Sequence, residues 1–210
     1  MNGWSEMRQH NEQLREQIIN VAQAAFSARG FAAVSIRELA AELQISKGNI
    51  YNYFTGKEDL FAACIGDTAA AFSTTLTAME AKYTQAQVDQ TTDPDYFSNI
   101  EQELLTVFKH NGVAIDLLLN CSNGSALAGG AVRLALLTKR VTAAILRLNN
   151  AYPGQPKLAA AFAETFASSL INSLQTIIRH QYPTAIHETT LDTCITLFSN
   201  GLKQTIRSNS

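Results

Sequence analysis

The sequence has no uninterrupted apolar run near the ~20 residues that a bilayer-spanning helix needs. Its polar start, MNGWSEMRQHNEQLREQ, lacks the apolar core of a secretory signal. Both absences lead to the expectation of a cytoplasmic chain with no membrane partner. Cysteine is scarce. Cys64, Cys121 and Cys194 are odd in number, far apart and free of any CxxC or Cys/His spacing, which argues for buried thiols rather than a zinc site or disulfide framework. Catalytic signatures are also missing: the four histidines form no H-E-x-x-H, and no G-x-S-x-G, Walker loop or G-x-G-x-x-G occurs. Neither an enzyme nor a resident metal or cofactor is expected. Strands are not expected either, because nowhere do apolar and polar residues alternate over a bounded β-branched stretch. Nor is there a basic excess. Net charge is −2, and residues 1–57 carry six cations (Arg8, Arg15, Arg29, Arg37, Lys47, Lys57) against five glutamates. Affinity for nucleic acid would have to come from where those cations sit.

What the sequence does contain is helical periodicity, in 210 residues of which 46% are hydrophobic and 16% charged. That is enough for a sizeable core, in one domain or in a small and a larger one. Leu14, Ile18, Val21, Ala22 and Ala25 form one stripe, which predicts a helix over 11–29. Gly30 is placed to end it with a left-handed residue, and Phe31 to fold back. Ser35-Ile36-Arg37-Glu38 is a capping box opening a helix over 36–43. Ser46 caps a short helix over 47–53. Thr55-Gly56-Lys57-Glu58 is a second capping box, opening a long helix from 57 to about 80. A polar stretch from Thr84 to Thr92 follows. Asp93-Pro94 then starts a helix whose face is traced by Tyr96, Ile100, Leu104, Val107 and Phe108. Residues 120–125 read as a loop, and 126–149 as helix weakened at Gly129-Gly130 or kinked there. Two apolar helices close the chain. The first, over 157–181, carries Leu158, Phe162, Phe166, Leu170, Leu174 and Ile178 on one face and Ala159, Ala163, Ala167 and Ile171 on another. The second, over 188–206, carries Leu191, Ile195, Phe198, Leu202 and Ile206. The fold class is all-α.

Between Ile36 and Tyr53 the pattern meets the demands of a helix-turn-helix, in which two short helices cross over a tight turn on small or apolar contacts. Leu39 and Leu43 supply apolar contacts, Ala40 permits close approach, Ile45 plugs the turn and Ile50 anchors the second helix. Lys47, Gly48, Asn49, Tyr51, Asn52 and Tyr53 are then left exposed. That chemistry suits a duplex: Asn49 and Asn52 can pair with adenine edges, Tyr51, Tyr53 and Lys57 can reach phosphates, and Gly48 allows close approach. Two asparagines in so short a helix oppose its propensity, which favours a functional reason for them.

Ser46-Lys47-Gly48-Asn49-Ile50-Tyr51-Asn52-Tyr53-Phe54, followed by Thr55-Gly56-Lys57-Glu58-Asp59-Leu60-Phe61, resembles the pattern of tetracycline-repressor (TetR) regulators. That pattern is Ser-x-Gly-x-apolar-Tyr-x-His/Tyr-Phe, then x-x-Lys-Glu-x-Leu. Upstream, Phe26-x-x-x-Gly30-Phe31, Val34-Ser35-Ile36 and Leu39-Ala40 agree in order and spacing, so the resemblance covers about residues 12–72. Two features depart from it. Gln44 stands where the family has glycine in the turn, predicting a non-glycine residue at positive φ and a small stability cost. Asn52 and Tyr53 stand where Tyr and His are frequent.

The resemblance implies an N-terminal three-helix DNA-binding domain over 1–72, with the motif at 35–54. A helical ligand-binding and dimerisation domain over 73–210 would follow. Ser35 and Tyr51 would touch phosphates, Lys57 would cap the approach to the backbone, and Lys47, Asn49, Asn52 and Tyr53 would lie at or near the bases. Two copies would pair through helices 157–181 and 188–206 and read a palindromic operator on double-stranded DNA. A small effector would bind among the middle helices and release the repressor. The few charges between 96 and 180 suggest that it is largely apolar. Phe108, His110, Asn120, Arg133 and Tyr152 are the ligand-site candidates, each also readable as a surface or structural residue. The amino-terminal arm, with Trp4 and Arg8, is expected to be a disordered tail, the alternative being an arm in the minor groove. The competing function is a DNA-bound adaptor controlled by a protein partner; activation rather than repression would use the same reader.

Overall fold

Ile18, Ala22, Ala25 and Phe26 recur at three- and four-residue steps and are buried, which places one face of α1 (Gly3–Arg29) against the core. The structure, a computed structural model, describes residues 3–89, 106, 108, 109, 111–148, 154–180 and 182–208. α1 ends as expected. Gly30 adopts φ 77°, its N–H donates to the Phe26 carbonyl at 2.7 Å, and Phe31 stacks on Phe26 with ring centres 5.9 Å apart. Its start differs: residues 3–10 extend the helix where a disordered tail was expected. Glu6, Met7, Arg8 and Gln9 are good helix formers, and lengthening an existing helix requires no new nucleus.

α2 (Ile36–Glu42) and α3 (Lys47–Tyr51) occupy the expected places, each a little shorter. α4 (Lys57–Ile65) and α5 (Thr68–Asp89) replace the single long helix predicted from 57 to about 80. The apolar spacing runs through the break, but Gly66 at φ 55°, ψ −140° interrupts the backbone. α5 continues to Asp89, through part of the polar stretch that begins at Thr84.

The chain forms two compact units. The first comprises Met1–Asp67 and Val113–Gly130. Phe61 meets Phe26 and Phe31 edge-on, each at 5.0 Å, and Leu39, Ile50, Phe54 and Leu60 are buried with them. Residues 113–130 complete this unit. α6 (Gly112–Asp116) runs into a π-helical turn over Leu117–Cys121, where a loop was expected at Asn120 and Cys121. In a π turn the residue five places on lies over the first, and here Asp116 meets two followers at once. The Asn120 amide donates to Asp116 Oδ1 at 2.7 Å, and Cys121 Sγ lies 3.8 Å from Asp116 Oδ2. The same thiol is 3.8 Å from the Ser27 carbonyl, so its single proton serves one acceptor at a time. The Phe31 N–H donates to the Cys121 carbonyl at 2.8 Å and the Ala126 N–H to Glu58 Oε2 at 3.1 Å.

α7 (Gly130–Leu148) begins later than expected, directly after Gly129 at φ 110°. Close packing accounts for Gly130, where an added Cβ would lie 1.9 Å from the Leu119 carbonyl oxygen.

The second unit comprises Thr68–Gly112 and Ala131–Ser210. Phe108 is buried against Phe72, and Leu137, Val141 and Ile145 form the buried face of α7. α8 (Pro156–Arg179) packs on α9 (Thr184–Ser208), with Leu170, Ile171, Leu174, Ile178, Leu191 and Ile195 buried. Along α8 the alanine stripe 159, 163, 167 is more enclosed than the aromatic face, and Leu158 is 45% exposed. Phe166 joins Phe162 and Phe198. His187 is buried against Gly112. Among the described residues no single helix is long and apolar enough to cross a membrane. The face expected at Tyr96, Ile100, Leu104 and Val107 lies outside the described residues.

Candidate nucleic-acid interface

Two small local rules shape the reader. Ser35 starts α2 by a reciprocal cap: its hydroxyl accepts from the Glu38 N–H at 3.2 Å, and its own N–H donates to Glu38 Oε2 at 2.9 Å. The Ser35 hydroxyl also donates to that carboxylate at 2.8 Å. These bonds from Ser35 hold the Glu38 carboxyl below its ordinary pKa, helped by Arg29 at 3.6 Å. Gln44 then turns the chain at φ 56°, the one non-glycine residue at positive φ among the described residues, as its place in the turn predicts. The Ile45 N–H closes the turn on the Ala40 carbonyl at 3.0 Å.

Ser46 caps α3 by accepting from the Asn49 N–H at 3.2 Å, and its hydroxyl donates to Asn49 Oδ1. Ile50 is fully buried beneath the helix. The opposite side is open. Lys47, Gly48, Tyr51 and Asn52 are exposed, Tyr51 by 54%, whereas Asn49 and Tyr53 are half-buried. Arg37, on α2, is exposed too. One short helix thus presents an ammonium, two amides and a phenol on one side of an apolar anchor.

Two candidates are placed differently from the rest. The Lys57 ammonium donates to the Phe31 and Val34 carbonyls, both at 3.0 Å, and lies 4.2 Å from the centre of the Phe31 ring. It ties together the turn between α1 and α2. Ser35 likewise spends its hydroxyl within its cap. The second capping box does not form: Gly56 is the N-cap of α4 and receives no side-chain bond, the Thr55 N–H and hydroxyl both donate to Asp59 Oδ2, and Glu58 accepts from the Ala126 N–H.

Sequence reasoning missed two residues of α1 beside the reader. The Tyr53 hydroxyl donates to Asn11 Oδ1 at 3.2 Å, and the Arg15 guanidinium lies 5.4 Å from the Phe54 ring centre. Both continue the buried face of α1 by register, which is the signal that could have found them.

Three of the five ligand-site candidates are among the described residues. Phe108 is packed on Phe72, Asn120 belongs to the first unit and bonds Asp116, and Arg133 is half-buried on α7. His110 and Tyr152 lie outside the described residues. A groove of about 400 Å³ runs along α8, lined by Asn172, Gln175, Thr176, Arg179 and His180, with none of the three described candidates on it. Cys64 and Cys121 are buried and Cys194 half-buried; burial pushes the Cys64 thiol up to about 12.

Residues 18–64 match the family model described as bacterial regulatory proteins, tetR family. The uncharacterized HTH-type transcriptional regulator YerO of Bacillus subtilis (strain 168) is 45% identical over 51 residues, which cover 24% of this chain and 18% of that protein. The HTH-type transcriptional regulator HbdR of Aromatoleum sp. (strain CIB) is 41% identical over 49 residues, 23% of this chain and 21% of its own. The chain thus spans about a fifth of the length of these curated relatives. A TetR-family transcriptional regulator from Bordetella parapertussis 12822 superposes with a TM-score of 0.51 at 20% identity, covering 89% of this chain and 94% of that one, and shares the fold. Over residues 18–64, then, the chain is similar to the bacterial regulatory proteins of the tetR family.

Proposed function

We propose that this protein is a sequence-specific DNA-binding transcriptional regulator. We further propose that it is a repressor, released from a palindromic operator by a small, largely apolar effector bound within residues 73–210. The observation that carries the DNA half is the open side of α3, where Lys47, Gly48, Tyr51 and Asn52 are exposed around the buried anchor Ile50. Asn49, Asn52 and Tyr53 are assigned to base edges and the adjoining backbone, Tyr51, Lys47 and the Ser35 turn to phosphates. Lys57 serves the duplex indirectly, by fixing the turn before α2. Two copies would pair through α8 and α9, where Leu158 and Leu197 are exposed, and present two readers to successive major grooves. An effector can release DNA only by binding the released state more tightly than the bound one.

The test is selection of bound fragments from sheared genomic DNA at two salt concentrations, with a Lys47→Ala/Tyr51→Ala double variant as control. The expected result is a palindrome that the control loses, with affinity falling steeply as salt rises. Equal enrichment by wild type and control would sink the reading.

One observation favours a second reading, an adaptor of the same fold controlled by a protein partner. Val132 and Leu136, one helical turn apart on α7, are 71% and 41% exposed. Val132→Ser/Leu136→Ser would abolish regulation under that reading, while leaving operator affinity and effector response untouched under the first.

A further inference from the structure

We propose that Ser46 fixes the polarity of the Asn49 amide, so that α3 offers a base only a donor at this position and selects guanine over adenine there. The inference rests on the DNA-binding reading above and names the chemistry of one base contact within it.

The Ser46 hydroxyl accepts from the Asn49 N–H at 3.2 Å, which leaves its own proton to be placed. That proton goes to Asn49 Oδ1. Ser35 and Glu38 show the same arrangement on α2. There the hydroxyl accepts from the Glu38 N–H at 3.2 Å and donates to Glu38 Oε2 at 2.8 Å. An ionised carboxylate can only accept, so the sense of that pair is fixed. Asn49 is its amide counterpart, with Oδ1 where Glu38 has Oε2. The amide oxygen is therefore engaged inside the protein, and the side chain is half-buried against its cap. Among the described residues no acceptor is bonded to Asn49 Nδ2.

The engaged oxygen changes which base edge the residue can read. A free asparagine pairs with adenine through two bonds, donating to N7 and accepting from the N6 amine. With Oδ1 taken, the second bond is lost and the adenine amine meets no acceptor. Guanine sets O6 and N7 side by side in the major groove with no donor beside them, so a donor alone suits it. Cytosine presents its N4 amine and is rejected. Asn52 provides the contrast on the same helix. It is exposed at the C-cap, and among the described residues no hydrogen bond engages its side chain, so it keeps both donor and acceptor for adenine. Two asparagines three residues apart thus read different edges, and the hydroxyl of Ser46 makes the difference.

The test uses the full chain and the palindrome obtained from the genomic selection. Asn49→Ala first locates the base pair in each half-site whose identity is no longer read. Duplexes carrying each of the four possible pairs at that position are then compared by competition binding. Wild type should prefer guanine to adenine there by about fivefold to tenfold, the low end of what a good pair of base contacts gives. Ser46→Thr keeps the hydroxyl and should keep the preference. Ser46→Asp remains a good cap but has no proton to give, so it can bond only Asn49 Nδ2 and turns Oδ1 outward. Guanine should then lose its lead to adenine or cytosine, whose edges carry a donor. Ser46→Gly, also an accepted cap, frees the amide and should bring adenine level with guanine. Each variant is compared with itself across duplexes, so a general loss of affinity from added charge or a weaker helix leaves the ratio unmoved. Any preference but guanine in wild type would overturn the inference. So would a guanine preference retained by Ser46→Asp and Ser46→Gly, or an Asn49→Ala variant that reads every position as wild type does. If wild type selects no fragment, or selects the same fragments as Lys47→Ala/Tyr51→Ala, the DNA-binding reading itself falls and takes this inference with it.

Discussion

Lys57 holds Phe31 from two sides: its ammonium donates to the Phe31 carbonyl at 3.0 Å and lies 4.2 Å from the centre of the ring on that residue. A lysine in the first turn of a helix faces the positive end of the helix dipole, an unfavourable place for a cation. The Phe31 and Val34 carbonyls and the ring offset this with negative charge from the other side.

Lys57 is therefore expected to matter to stability before it matters to any ligand. Lys57→Met keeps the stem and removes the charged donor from both carbonyls of the α1–α2 turn, leaving the Phe31 carbonyl only the Val34 N–H at 3.4 Å. The expected cost is about 2–3 kcal/mol in urea unfolding, the usual range for hydrogen bonds to a charged group plus a cation–π contact. A midpoint equal to that of wild type would show that the ammonium does its work elsewhere.

Gly130 is expected to tolerate no side chain. Its added Cβ would lie 1.9 Å from the Leu119 carbonyl oxygen, a backbone atom that can yield only by moving the π turn. Gly130→Ala should cost about 1–3 kcal/mol as overpacking does, lowering the melting temperature by roughly 2–4 °C for each kcal/mol in a chain of this size. Gly56→Ala is the control, because nothing lies within 4 Å of its added Cβ and its φ of 173° is ordinary extended backbone. Equal melting points for the two variants would contradict the packing at Gly130.

At position 44 the usual ranking of alanine above glycine should reverse. With φ at 56°, any side chain there carries the ~1–2 kcal/mol cost of the left-handed conformation. Gln44→Gly should be more stable than Gln44→Ala by about 1 kcal/mol. At the exposed helical residue Ala41, by contrast, Ala41→Gly should lose about 1 kcal/mol. Chemical denaturation of the three variants checks both signs, and an Ala-over-Gly order at 44 would refute the strain.

Below neutrality the second unit should weaken through His187. Burial against Gly112 lowers its pKa below the ordinary 6.5, with nearby Glu188 opposing in part. The unfolded chain therefore binds the proton more readily, so this contribution is complete above about 6.5 and is lost as pH falls through the lower folded value. Melting temperatures at pH 7.5 and 5.5 should drop further for wild type than for His187→Gln. Parallel drops would mean that other groups carry the acid sensitivity.

Much of the reader could be read directly from the sequence because its instructions are local. The Ser35 cap and the Gln44 turn each resolve within four residues, and each appears where the sequence puts it. The features that could not be read join distant residues. Lys57 reaches back 26 residues to Phe31, and Tyr53 reaches 42 residues to Asn11. Nothing in the spacing around Lys57 or Tyr53 names its partner, although the register of α1 sets Asn11 on its buried face. The break at Gly66 was hidden for another reason: Leu60, Phe61, Cys64 and Ile65 before it and Phe72 and Leu76 after it are all buried, so the apolar pattern passes through. The π turn was hidden because Asp116, Asn120 and Cys121 satisfy a spacing of four or five that hydrophobic periodicity does not register.

The first unit has a consequence for how such a protein can be inherited. Its two stretches, Met1–Asp67 and Val113–Gly130, are separated along the chain by part of the other unit. The Phe31 amide and the Glu58 carboxylate take their partners, Cys121 and Ala126, from the later stretch. The reader is therefore no detachable cassette. A natural recombinant or designed chimera joined after Asp67 would exchange those partners for whatever the new sequence supplies. Viable crossovers should carry residues 113–130 along with the reader, so the two segments are bound to diverge as a pair while their neighbours vary more freely.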